Sequence, residues 1–480
     1  METARFAELL GRLGAALDQF EQFDHPDAFA SRDAWTRLAD ERLPDVGLGI
    51  DTVVGELLDV VIPGGSRIPD PTFWGFITTG TTTAPVLAAT AAMVVSPQRG
   101  SLTAFNRLEE RALEWLRDLF LLPEHFRGVF SSGGSVANLI ALGAARQWAF
   151  EQVGHDVAAR GVDRPTAVYA SDQVHHTVQR ACAVLGMGRE SVRLVTSDEA
   201  QRMRVDALVA AMDADAADGV LPVAVVGTAG TTNTGAIDPL AQVGAVARAR
   251  GVWFHVDGAY GLAGRLDARV RDRYTGVDDA DSVIVDPHKW LAAPVGVAAT
   301  FVRDRSILVR AFTQEPAEYL EGSFTDEAAA QASLDAMGIP YADMAVELSS
   351  PARGAWVWAL LREQGREGVA RRIVADNDHA RRVTTYAREH PRLQPLTDPE
   401  LSIACFRYVG DGGLGLGALD AFNRQLLRTL VRSTRYAPTA TVVDGHFALR
   451  PCFINPRTTA EHVDGFLEAV VRLGDELARG

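Results

Sequence analysis

The stretch DSVIVDPHKW, residues 281–290, reads as a short apolar β-strand that runs into a polar turn. Lys289 in that turn is the only lysine in the chain, against 46 arginines. Arginine replaces lysine in most ion pairs and on most solvated faces. Its guanidinium stays protonated, however, and cannot act as an amine nucleophile. A position that keeps lysine here is a candidate for amine chemistry, with chance survival as the alternative.

Outward from this stretch, short β-rich runs alternate with helical runs from residue 71 to about 350. The strands read GVFSS (128–132), TAVYAS (166–171), SVRLVT (191–196), LPVAVVGTAG (221–230), GVWFHVDGAY (251–260), DSVIVDP (281–287) and GVAATFVRD (296–304). Near-continuous apolar strands separated by helix-length segments predict βαβ units and a mainly parallel sheet, buried on both faces. Residues 1–70 read as a helical arm. Residues 71–350 read as a large α/β domain and 351–480 as a small C-terminal α+β domain. The stretch 321–350 resembles a long connection of the kind that forms lids.

The totals narrow the function. Apolar residues make up 47% and charged ones 23% of 480, enough for a large core. A net charge of −15 argues against non-specific binding to nucleic acid or anionic membrane. Cys182, Cys405 and Cys452 are too few and too scattered for a disulfide framework or a zinc site, and no metal is expected. No apolar stretch approaches about 18 residues, and the N-terminus lacks a signal-peptide pattern. The expected location is cytoplasmic.

Polar residues recur at the strand ends, where open α/β sheets bind ligands. GVFSS runs into Gly133, Gly134 and Ser135 and then a helix, an anion cradle suited to phosphate or else an ordinary N-cap. TAVYAS leads to His175 and His176. As adjacent residues on a strand they point to opposite faces, so at most one reaches a pocket. LPVAVVGTAG ends at Thr231 and Thr232. Asp257 follows an apolar run, where a buried carboxylate needs a cationic or proton-donating partner. Lys289, between His288 and Trp290, has the apolar surroundings that lower a lysine pKa by desolvation, as a Schiff-base lysine requires. Together these match the needs of pyridoxal phosphate: a lysine for the aldehyde, an acid at the pyridine nitrogen and a phosphate cup. Gly410-x-Gly412-x-x-Gly415 fits a dinucleotide pattern but lacks its βαβ unit and acid, and reads as a loop.

The segments GVFSSGGSVANLIALGAAR, YASDQVHHTVQRACAVLG, VGTAGTTNTGAIDPL, WFHVDGAY and DSVIVDPHKWL resemble the successive motifs of the group II pyridoxal-phosphate-dependent decarboxylases. LRPCFINPRTT near the C-terminus is similar too. The resemblance implies fold type I, as in aspartate aminotransferase, and a homodimer with shared active sites. It implies that Lys289 tethers the cofactor, Asp257 holds the pyridinium proton, and Ala259 and His175 cover the two ring faces. Gly134, Ser135 and His288 would hold the phosphate, Thr232 would lie near the ring, and Asp286 stands where some members carry asparagine. Tyr341, counted back from Arg353 and Trp356, falls where the family carries a proton-donating tyrosine.

The implied reaction is decarboxylation of an L-amino acid to its amine and CO2. PTFWGFITTG resembles the family's side-chain pocket segment, and Trp74, Phe76 and Ile77 there either make it flat and apolar, which suits an aromatic substrate, or are core residues. SPQRGSLTAFNRLEE carries extra residues beside that neighbourhood, which leaves the substrate open. The alternatives are an aldehyde synthase or other lyase of the same family, and a non-catalytic scaffold, which intact Lys289 and Asp257 argue against.

Overall fold

The structure is a computed structural model that describes residues 2–23, 32–95, 104–312, 341–412 and 415–479. The chain divides into two units, Met1–Phe73 and Trp74–Gly480. The first unit is helical. Its helices are Glu2–Phe20, Arg32–Ala39 and Ile50–Glu56, the last continuing as a π-helical turn, Leu57–Val61. The Pro63-Gly64-Gly65-Ser66 loop lies just beyond that turn.

In the second unit, all seven runs read as strands form one sheet. They are β2 (Arg127–Ser131), β3 (Thr166–Ser171), β4 (Val192–Val195), β5 (Leu221–Thr228), β6 (Trp253–Asp257), β7 (Ser282–Val285) and β8 (Ala298–Val302). The spatial order is β2-β8-β7-β6-β5-β3-β4. β4, β3, β5, β6 and β7 pair in parallel, and β8 runs antiparallel to both β7 and β2. Strands β3, β6, β7 and β8 are buried along their whole length, as strands covered on both faces must be. The helix Gly134–Glu151 packs on β5, β6, β7 and β8. This is the mainly parallel α/β arrangement that the strand pattern predicts.

A second sheet is antiparallel. It comprises β1 (Phe73–Trp74), β9 (Leu393–Pro395), β10 (Phe406–Tyr408), β11 (Ala437–Val443) and β12 (His446–Arg450), in the order β1-β11-β12-β10-β9. Two strands expected to be long are short. LSIACFRYV forms a regular strand only over Phe406–Tyr408, and GHFALRPCFI only up to Arg450, where Pro451 lacks an N–H for the ladder; past that break the two meet again at the isolated Ile403–Cys452 bridge. Between the sheets in sequence, Arg353–Glu389 is two helices joined at Gly365, whose φ of +65° interrupts them.

Trp74 corrects an expectation. It is 0% exposed and belongs to the small sheet's core rather than to a substrate pocket. Its ring packs on Phe453 at 5.0 Å, Phe466 at 5.3 Å and Tyr436 at 5.8 Å. Its Nε1–H donates to Thr458 Oγ1 at 3.0 Å, so the indole's one polar group is satisfied where it lies. Trp74→Ala should therefore lower unfolding free energy by about 3–5 kcal/mol in denaturant titration. A loss of activity at unchanged stability would instead place Trp74 at the substrate.

Candidate active site

The carboxyl ends of the parallel strands converge on a cavity of about 440 Å³. It is lined by the turns after β2 (Ser132–Val136), β5 (Gly230, Thr232), β6 (Asp257, Ala259, Tyr260) and β7 (Asp286, His288, Lys289), with His175 from the turn after β3. Volumes of a few hundred Å³ suit a cofactor-sized ligand.

Lys289 Nζ lies 2.9 Å from Asp286 Oδ2, and the lysine side chain is 23% exposed. This corrects the expected apolar setting, because the ammonium has a carboxylate partner. Asp286 is 2% exposed. Its Oδ2 also accepts from Gly134 N at 3.1 Å, whereas Oδ1 has no partner among the described residues. Gly134 opens the helix Gly134–Glu151 and is required at this approach: a Cβ there would stand 2.7 Å from Asp286 Oδ2. Ser135 follows in the first turn, where a helix leaves N–H groups without intrahelical partners. His288 Nδ1 lies 2.6 Å from Val297 O and so carries its proton there. Burial pushes the His288 pKa down, and Asp286 pulls it the other way.

Asp257 ends β6 and is 6% exposed. Its Oδ1 accepts from Ala259 N at 3.1 Å and its Oδ2 from Asn138 Nδ2 at 3.0 Å. Both oxygens are thus held by donors, as a buried carboxylate needs. Neither His175 nor His176 continues a strand, because β3 ends at Ser171. They lie in the turn before the helix Thr177–Val184, with ring centroids 4.2 Å apart, and the argument from opposite strand faces does not apply. His175 nevertheless lines the cavity, and His176 is exposed. Burial lowers the His175 pKa, against the pull of Asp257.

A second cavity of about 720 Å³ also takes in Lys289, His175 and Thr232. Phe76, Ile77, Leu427, Val431 and Pro438 give it apolar walls, and Arg428 and Arg432 lie along it. Arg450 lines it as well, but its guanidinium donates to the carbonyls of Phe76, Asn233 and Thr232.

Tyr341 does not reach either cavity. It is 0% exposed, its hydroxyl donates to Glu110, and Arg305 lies over its ring at 5.5 Å. Burial and Glu110 hold its pKa well above the ordinary tyrosine value. The expectation of a proton donor at the site is corrected on that ground: the hydroxyl is engaged elsewhere. Most of the extra residues in SPQRGSLTAFNRLEE (96–103), and 321–340 of the long connection, lie outside the described residues.

Four residues of the site's support were not picked out in the sequence: Asn138, Thr177, His255 and Ser282. Asn138 is the one polar side chain in VANLIALGAA, and His255 precedes Asp257 by two on an apolar strand, hence on its side of the sheet. Those are the signals that could have found them.

Comparison with known proteins supplies the chemistry. The pyridoxal-dependent decarboxylase conserved domain matches residues 33–409. The chain is 29% identical over 373 residues to the aromatic-L-amino-acid decarboxylase of Bacillus atrophaeus, covering 78% of this chain and 74% of that one. It is 31% identical over 443 residues to the L-2,4-diaminobutyrate decarboxylase of Rhizobium meliloti, covering 91% and 84%. A crystal structure of Oryza sativa TDC with PLP and tryptamine superposes with a TM-score of 0.88 at 26% identity, over 98% of each chain. This chain belongs to the pyridoxal-dependent decarboxylase family and is a pyridoxal-phosphate-dependent carboxy-lyase of fold type I.

Proposed function

We propose that the chain decarboxylates an aromatic L-amino acid, with Lys289 tethering the cofactor and Asp257 meeting its ring nitrogen. The observation that carries this reading is that Lys289 and Asp257 line one cavity, and that the cavity beside it has apolar walls at Phe76 and Ile77. The residues fit the cofactor. Thr228 Oγ1, on the cavity, is a donor with no protein partner among the described residues. Gly134 lets Asp286 close on the helix start, where a Cβ would stand 2.7 Å from Asp286 Oδ2.

When bound, pyridoxal phosphate supplies an electron sink for the pair left on the substrate's Cα as CO2 departs. The protein's part is placement. Lys289 provides the amine, and Asp286 holds that amine at the cavity floor. Asp257 presents an acceptor fixed by Ala259 N–H and Asn138. Ala259, His175 and Thr232 line the same cavity and would flank the ring. The first turn of the helix Gly134–Glu151, at Gly134 and Ser135 with His288 near, receives the phosphate, a helix start being suited to an anion. Phe76, Ile77 and Leu427 offer a flat apolar wall to an aromatic side chain. Arg428 and Arg432 place positive charge where a carboxylate enters, in a chain of net charge −15.

The assembly in this reading is a homodimer. Leu43, Val46 and Val53 of the first unit are 92%, 80% and 52% exposed, and Leu87, Met93 and Val94 of the second are 64%, 70% and 62% exposed. Apolar exposure on this scale, on each unit taken by itself, suits an interaction surface, and closed symmetric pairs are the commonest use of one. A cytoplasmic location is supported by three buried free cysteines. Among the described residues no helix is long and apolar enough to cross a membrane.

Three outcomes are expected. Lys289→Arg keeps the charge opposite Asp286 but should abolish borohydride-trapped attachment of the cofactor, read by mass spectrometry, and abolish CO2 release; retained attachment would move the reading to another amine. Gly134→Ala should weaken cofactor affinity about 10-fold, as overpacking of roughly 1–3 kcal/mol implies. In a panel of tryptophan, tyrosine, dihydroxyphenylalanine, 2,4-diaminobutyrate and glutamate, an aromatic substrate should give the highest kcat/KM, with amine and CO2 formed and no aldehyde or peroxide. A preference for diaminobutyrate or glutamate would contradict the substrate reading, and aldehyde with peroxide would contradict the reaction.

A further inference from the structure

Behind Asp257 lies a run of buried polar side chains. Trp253 Nε1–H donates to Ser282 Oγ at 2.9 Å. His255 Nδ1 lies 2.9 Å from the same oxygen, and His255 Nε2 lies 3.0 Å from Asn138 Oδ1. Asn138 Nδ2 donates to Asp257 Oδ2 at 3.0 Å and to Thr177 Oγ1 at 3.3 Å. Thr177 Oγ1 is 2.8 Å from His175 Nδ1. Asn138, Thr177, Trp253, His255 and Ser282 are all 5% exposed or less.

The hydrogen-bonding direction of this run is determined from both ends. An indole N–H only donates and a carboxylate only accepts. Asn138 therefore turns Nδ2 toward Asp257 and Oδ1 toward His255. His255 must donate from Nε2, which leaves Nδ1 to accept from the Ser282 hydroxyl, and Ser282 in turn accepts from Trp253. Every group in the run is then satisfied with His255 neutral, and burial pushes the His255 pKa down to about 4. On the other branch, Thr177 accepts from Asn138 and gives its hydrogen to His175 Nδ1. The Thr177 backbone N–H, 3.4 Å from that same nitrogen, also treats it as an acceptor. The proton of neutral His175 is thereby placed on Nε2.

We propose that Trp253, Ser282, His255 and Asn138 form a positioning relay that holds Asp257 as an acceptor toward the cavity and, through Thr177, fixes His175 in its Nε2–H tautomer. The proposal rests on the reading of Asp257 as partner of the cofactor's ring nitrogen. One buried network thereby orients the group at the ring nitrogen and the group that flanks the ring face. These residues act through Asp257 and His175 and touch no reacting atom.

The test uses holoenzyme carrying pyridoxal phosphate labelled with 15N in the ring. Its readouts are the ring-nitrogen chemical shift, kcat, KM and the melting temperature. His255→Leu fills similar volume without hydrogen bonds, whereas His255→Gln restores one donor and one acceptor. His255→Leu should move the 15N signal toward the unprotonated position and lower kcat about 10-fold or more, with KM little changed. His255→Gln should recover both the signal and kcat. If His255→Leu fails to fold, Trp253→Phe keeps a smaller aromatic ring and removes the terminal donor; it should lower kcat about 5-fold, the scale of one lost hydrogen bond. Wild-type shift and kcat in the variant examined would overturn the relay, and so would a His255→Gln enzyme as impaired as His255→Leu. Asp257→Asn separates the two ideas: an unchanged ring-nitrogen shift in that variant removes the reading on which the relay rests.

Discussion

A carboxylate at the end of a fully buried strand is costly unless donors meet it. Asp257 satisfies that condition through two groups, the Ala259 backbone N–H and the Asn138 amide. The rest of the site follows from this constraint. Asn138 lies in the first turns of the helix Gly134–Glu151, so the helix that opens beside Asp286 also reaches the back of Asp257. A shift of that helix along the sheet would disturb both the Gly134–Asp286 contact and the Asn138–Asp257 contact. The anion-receiving turn and the acceptor are thus set by one rigid element, which is how a scaffold holds a site to fractions of an ångström.

The same economy governs the lysine. Lys289 pairs with Asp286 within one turn, and Trp290 beyond it stacks on Tyr260 at 5.0 Å while donating to Asp376 at 2.8 Å. Tyr260 follows Ala259 by one residue and is held by Ser402. Lys289 therefore sits in a turn anchored on one side by Asp286 and on the other by Trp290, which stacks on the turn after the adjacent strand. The second cavity extends from Lys289 toward β11 and the helix Leu416–Ser433, so the small sheet lines it without carrying the lysine or the buried acid.

Much of this was legible in the sequence, and the reasons are specific. Seven apolar runs became seven strands because a sheet covered on both faces leaves no alternation to blur the pattern. Lys289 stood out because arginine fills the other cationic positions of the chain. Asp257 and Thr232 were singled out by following strand ends, the place where parallel topology puts a ligand, and Ala259 and Asp286 by the resemblance; all four line the same cavity. What failed depended on tertiary placement. Trp74 and Phe76 are two residues apart in one segment, yet one is sealed in the small core and the other is 66% exposed along the second cavity. Tyr341 was placed by spacing alone, and Glu110, distant in sequence, claims its hydroxyl. The adjacent histidines were assigned to a strand that had already ended. Asn138 and His255 were invisible as a pair because nothing local announces that a helix and a strand 117 residues apart share a hydrogen bond.

The central claim is that Asp257 and Lys289 act on one ring from two strand ends. A crystal structure of the holoenzyme tests it most directly. The account predicts continuous density from Lys289 Nζ to the cofactor, and an Asp257 oxygen within hydrogen-bonding distance of the ring nitrogen while still held by Asn138. A ring nitrogen facing any other residue, or a cofactor bound with Lys289 unattached and still paired to Asp286, would contradict it.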